Sequence, residues 1–117
     1  LFENINPLFV SRYPQNQNKD VIKWLSSIPN NYLHFGDFDI AGIGIYLNEY
    51  KKHLIDKATF FIPEYIEQEL GENGNRKRYN VQKVNFKLNE IKENSLLKLI
   101  DLINTQKKGL DQEYYIP

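Results

Sequence analysis

Residues 31–44 read NYLHFGDFDIAGIG, and two changes of pattern inside this stretch decide the fold. Asn31 to Phe35 are aromatic and aliphatic enough for a short strand, bounded by Pro29-Asn30 before it and Gly36 after it. From Ile40 the period lengthens, and Ile40, Ile43, Leu47, Tyr50 and Leu54 fall on one helical stripe. KATFFIP, residues 57–63, then supplies the next strand, with β-branched and aromatic residues stopped by Pro63. A strand, a helix and a strand in this order predict a parallel β-α-β unit.

The same alternation extends to both sides. LFENINPLF opens with an apolar run ending at Glu3, followed by a polar turn with Pro7. Val21, Ile22, Trp24, Leu25 and Ile28 recur at helical spacing, which predicts a helix with Trp24 in the core. Beyond Pro63, PEYIEQEL has proline and acids where a helix start favours them, and GENGNRKRYN reads as a loop. NSLLKLIDLINTQKKG is a strong helix pattern with Gly109 near its end, and LDQEYYIP predicts a short helical extension. The expected architecture is a single α/β domain over residues 1–117, a mostly parallel sheet flanked by helices.

Composition narrows the function classes. The chain has no cysteine, which excludes disulfide stapling, thiol catalysis and cysteine-based zinc sites. Fifteen basic and fifteen acidic residues cancel, whereas a domain that grips nucleic acid alone is usually basic. If nucleic acid is the substrate, this domain supplies chemistry while other domains or subunits supply much of the grip. No apolar run is long enough for a membrane span and no secretory leader is visible, so a cytoplasmic location without membrane partners is expected. The opening LFENINPLFV reads as the interior of something longer, so a C-terminal fragment of a larger protein is expected.

Asp37 and Asp39 carry the chemistry. Residues i and i+2 of an extended segment point the same way, about 7 Å apart at the backbone. In open α/β sheets ligands gather beyond the C-terminal strand ends. Glu3 ends another expected strand, so three carboxylates could meet at one sheet edge. Their mutual repulsion calls for a compensating cation, and hard oxygen donors suit Mg²⁺. The competing reading has Asp39 capping the helix at Ile40 and Asp37 satisfying a turn. Spacing alone leaves both open. Gly42 and Gly44 imply close backbone approach, since glycine in a helix costs about 0.5–1 kcal/mol relative to alanine. GIGIYL lacks the final glycine of a dinucleotide-binding turn.

Laid out in this order, the residues resemble a Toprim domain, the metal-binding module of topoisomerases and primases. The resemblance is nearest to the topoisomerase VI A subunit, the related meiotic recombination endonuclease and the Wadjet-type JetD nuclease. LFEN matches the first element and places its glutamate on Glu3; FGDFDIAG matches the second and places its aspartates on Asp37 and Asp39. GLDQEYYI is similar to a Glu-Gln-Glu-like stretch of the JetD group, with Asp111, Gln112 and Glu113 in that place and Asp111 replacing a glutamate. The resemblance implies a Rossmann-like sheet and a Mg²⁺ or Mn²⁺ site beside a scissile DNA phosphate. Asp37 and Asp39 would hold the metal, Glu3 would be a ligand or general acid/base, and Glu113 would join the catalytic set. The implied activity is DNA cleavage or nicking, with water as nucleophile or a tyrosine from another domain, and a homodimer is compatible with it.

Arg76, Lys77 and Arg78 in NRKRY, with Arg12, are candidate phosphate contacts, although such charge runs are commonly solvated surface. His34 reads as a packed side chain, His53 as a helix-end residue, and no tyrosine has an evident neighbouring base. Two other function classes compete. One is a non-catalytic interaction module on the same scaffold within a DNA-processing or defence protein. The other is a phospho-acceptor or phosphatase domain, weakened because no lysine follows KATFFIP where such a site wants one.

Overall fold

The strands expected around NYLHF and KATFFIP form as β1 (Tyr32–His34) and β2 (Ala58–Phe60), paired in parallel with Tyr32 opposite Ala58 and His34 opposite Phe60. The computed structural model describes residues 15–115, with the side chains of residues 15–19 and 113 outside the description. The expected first strand with Glu3, and Arg12, therefore lie outside the described residues. Within them, the chain is a small mixed α/β domain with helices flanking a short two-stranded parallel sheet.

Parallel strands require a crossover, and the Ile40 stripe provides it. It consists of α2 (Ile40–Ile45), a π-helical turn over Tyr46–Lys51, and α3 (Lys52–Leu54). At the end of the wide turn, the Lys52 N–H reaches back five residues to the Leu47 carbonyl. Ile40, Ile43, Tyr50 and Leu54 of the expected stripe are buried against the sheet, while Leu47 is only half-buried and Tyr46 fills that place; Tyr50 stacks on Tyr32 and Tyr46 meets Phe60 edge-on. A buried phenol needs a partner. Tyr46 donates to the Glu93 carboxylate, which also accepts the Phe60 N–H at 3.2 Å and pairs with Lys51 at 3.3 Å. Burial, then the hydrogen bond and charge of Glu93, push the Tyr46 phenol above its ordinary range. Glu93 flanks the start of α6 (Asn94–Gln106), so this network ties α6 to the sheet and crossover.

The remaining helices close the core. In α1 (Gln15–Ser27), Leu25 is buried, and Val21 and Ile22, with Ile28 just beyond the helix, pack against the core. Trp24 is 43% exposed, contrary to the core expectation. It sits about 100° around the helix from Leu25, off the centre of that stripe. α4 (Ile66–Asn73) begins three residues beyond the proline at 63 and packs Ile66 and Leu70 toward α6, which buries Leu96, Leu99, Ile100 and Ile103.

The segment expected to be a loop is largely helical. α4 runs on to Asn73, and α5 spans Arg76–Val81. Its cause is local: the Asn75 side chain accepts the N–H groups of Lys77 at 2.8 Å and Arg78 at 3.4 Å, capping a helix with no apolar period. α6 ends at Lys107, in the left-handed region at φ 55°, rather than at Gly109. The expected helical extension forms as a single 3₁₀ turn, Gln112–Tyr115. Among the described residues, no helix is long and apolar enough to cross a membrane.

Candidate metal centre

After β1 the backbone continues to Phe38, which pairs antiparallel with Leu110 through N–H···O bonds of 2.7 and 3.0 Å. The Phe38 side chain is fully buried in the core. Alternation along an extended segment therefore sends Asp37 and Asp39 to the opposite side together. A second antiparallel bridge joins Gly109 to Asn75. Residues 109 and 110 thus lie between the aspartate segment and the start of α5, and deliver Asp111 to the same place.

Each carboxylate of the pair is fixed by a backbone amide. Asp39 caps α2, its Oδ1 accepting the Gly42 N–H at 2.6 Å, and Asp37 Oδ1 accepts the Gln112 N–H at 2.9 Å. Gly42 is required here, because a Cβ would collide with the Asp37 carbonyl and stand 3.0 Å from Asp39 Oδ1. The remaining oxygens turn toward Arg78. Its Nη1 is 2.9 Å from Asp39 Oδ2 and 3.6 Å from Asp37 Oδ2, while its Nη2 pairs with Asp111 Oδ1. Both readings of Asp39 therefore coexist: one oxygen caps a helix and the other faces a charged site.

The electrostatics follow from crowding. Burial raises the Asp37 carboxyl above its ordinary value; Asp39 and Asp111 add to this, and the Gln112 N–H and Arg78 oppose it. Burial alone would weaken the Arg78 proton, but the hydrogen bond to Asp39 and the three nearby carboxylates outweigh it and raise its pKa.

Among the described residues, Asp37, Asp39 and Asp111 each offer an oxygen, all within 4.8 Å of one another. Mg²⁺ at about 2.0–2.1 Å from its ligands places them about 3–4 Å apart, and Ca²⁺ tolerates more. A modest contraction brings this hard, anionic donor set to either ion, and the guanidinium already stands among the oxygens as a cation. The donor set fits a divalent ion.

The structure thus brings together Asp37 and Asp39 and adds Asp111, which the sequence placed only through the resemblance. Glu113 follows in the 3₁₀ turn with its side chain outside the described residues, and Glu3 and Arg12 lie outside them altogether. Arg76 and Lys77 are exposed on α5. Arg78, a candidate phosphate contact in a run that reads more readily as solvated surface, pairs with the carboxylates, because the Asn75 cap and the Gly109 bridge set α5 beside them. His34 packs as expected, buried among Tyr46, Tyr50 and Phe60 with the Tyr32 hydroxyl 2.7 Å from its Nδ1. Tyr32 and Tyr46 do have basic or acidic neighbours, but both belong to the aromatic core rather than to this edge.

No curated protein and no solved structure matches the chain. Residues 3–116 match a family described as a domain of unknown function (DUF7281), and the chain belongs to that family.

Proposed function

We propose that this is a Toprim-like domain whose carboxylates hold Mg²⁺ or Mn²⁺ for cleavage or nicking of a DNA phosphodiester, as the metal-binding part of a nuclease. The observation that carries this reading is the convergence of Asp37, Asp39 and Asp111 beyond the C-terminal end of parallel strand β1. That is where open α/β sheets gather ligands. A divalent ion there supplies positive charge against a developing phosphoryl oxyanion. The chain's own residues do the positioning: the Gly42 and Gln112 amides fix one oxygen of each aspartate and leave the other toward the shared site. Outer hydrogen bonds of this kind orient ligands and reduce the reorganisation needed on binding. The order of Glu3, Asp37-x-Asp39 and Asp111-Gln112-Glu113 supports the Toprim assignment, with Glu3 and Glu113 as its further catalytic members and DNA held mainly by other domains or subunits.

A second reading has its own observation. Arg78 already pairs with the carboxylates, as it would in a non-catalytic interaction module where the cluster is a structural ion-pair network. Mn²⁺ titration into the chain and its Asp37→Asn/Asp39→Asn variant separates the two, alongside nicking of supercoiled DNA by the parent protein carrying the same changes. Binding and nicking in wild type, with both lost in the variant, are expected. Negligible binding in both proteins supports the module instead, and nicking that persists in the variant assigns catalysis elsewhere.

A further inference from the structure

Arg78 reaches the carboxylates by a passage built for it. Gly109 lies beneath its stem, where a Cβ would stand 2.9 Å from Arg78 Cδ, 3.2 Å from its Cγ and 2.8 Å from Asp39 Cβ. The two Gly109–Asn75 backbone hydrogen bonds, 2.7 and 3.1 Å, fix the base of α5 at that distance. The planar fork then divides between acids, Nη1 toward Asp39 and Asp37 and Nη2 toward Asp111. These are the same three side chains that offer a divalent ion its ligands.

The two cations compete for those carboxylates. Asp37 and Asp39 each have Oδ1 accepting a backbone N–H, which leaves Oδ2, already facing Arg78, as the less engaged oxygen. A guanidinium and a divalent ion a few ångströms apart also repel each other. α5 is lightly held: none of its six residues is buried, although Tyr79 packs at the edge of the core and donates to Asn104 at 3.2 Å. An element with few buried contacts opens at low free-energy cost.

We infer that Arg78 is an intramolecular competitor for the divalent cation, a latch that bridges Asp37, Asp39 and Asp111 and is expelled when the ion loads. This rests on the metal-site reading above. The latch lowers the metal affinity of the closed site, and its release leaves a cationic head group within side-chain reach of the ion.

The test compares Mn²⁺ titrations of wild type, Arg78→Gln and Arg78→Lys at one pH and ionic strength, with circular dichroism as the folding check. Arg78→Gln is expected to bind Mn²⁺ about tenfold tighter than wild type, since a unit charge near a divalent ion is worth at least that even in water-like surroundings. Arg78→Lys keeps the charge without the fork and should fall between them. Equal or weaker binding by Arg78→Gln, with wild type binding, overturns the latch and leaves the metal site standing. Failure of wild type and both variants to bind removes the metal reading and the latch with it. Guanidinium NMR of wild type reads the latch without any substitution. Its Arg78 Nη signals should be resolved in EDTA and averaged by fast rotation once Mg²⁺ is added; signals that stay resolved at saturating Mg²⁺ contradict expulsion.

Discussion

Asp39→Ala should lower the stability of the chain in EDTA by about 2–3 kcal/mol, read from urea unfolding. The side chain is 2% exposed and its two oxygens do separate work. Removing Oδ1 uncaps α2 and strands the Gly42 N–H, a loss of about 0.5–2 kcal/mol for the cap, with an added penalty for an unsatisfied buried donor. Removing Oδ2 takes from Arg78 its best-aligned partner at 2.9 Å. Relief of repulsion with Asp37 and Asp111 offsets part of this, which keeps the sum below the cost of breaking a fully buried ion pair. Asp39→Asn retains the capping oxygen and should cost clearly less than Asp39→Ala. A loss below about 0.5 kcal/mol for Asp39→Ala would place the capping bond outside the stability of the fold.

Asp111→Asn should behave in the opposite way. Its side chain is 47% exposed and, among the described residues, pairs with one arm of a partly exposed arginine, so unfolding stability in EDTA should change by less than about 1 kcal/mol. Affinity for Mn²⁺ should fall about a hundredfold, because one of three carboxylate ligands loses its charge and losing even an outer-shell partner costs about 10–100-fold. The pair of variants thus separates a residue that serves both fold and ion from one that serves the ion alone. Unchanged Mn²⁺ affinity in Asp111→Asn would exclude Asp111 from the ligand set and leave the third position to another acid.

The elements fixed by local pattern were legible in the sequence: β1, β2, the Ile40 stripe and the Asp39 cap all follow from period, propensity and capping chemistry. The pairing of Asp37 and Asp39 was legible too, although the extended geometry that unites them comes from the bridge of Phe38 to Leu110 rather than from β1 itself. What escaped depends on distant partners. α5 has no apolar stripe and forms on the local Asn75 cap, but its position beside the acids is set by the bridge from Asn75 to Gly109, more than thirty residues on. Arg78 looked like surface charge because its acids stand far off in the chain, and Gly109 looked like a helix terminator because its real neighbours are Asp39 and Arg78. Trp24 shows the limit of a helical template, which tolerates a residue beside the buried stripe without saying whether it enters the core.

The central claim is that Asp37, Asp39 and Asp111 together hold a divalent cation, and paramagnetic broadening tests it most directly. Substoichiometric Mn²⁺ added to ¹⁵N-labelled chain should first erase the amide signals of residues 37–42, 78 and 109–112, and excess Mg²⁺ should restore them. Broadening centred on another acidic surface such as Glu67, Glu69 and Glu72, or spread evenly over the exposed carboxylates, would contradict it.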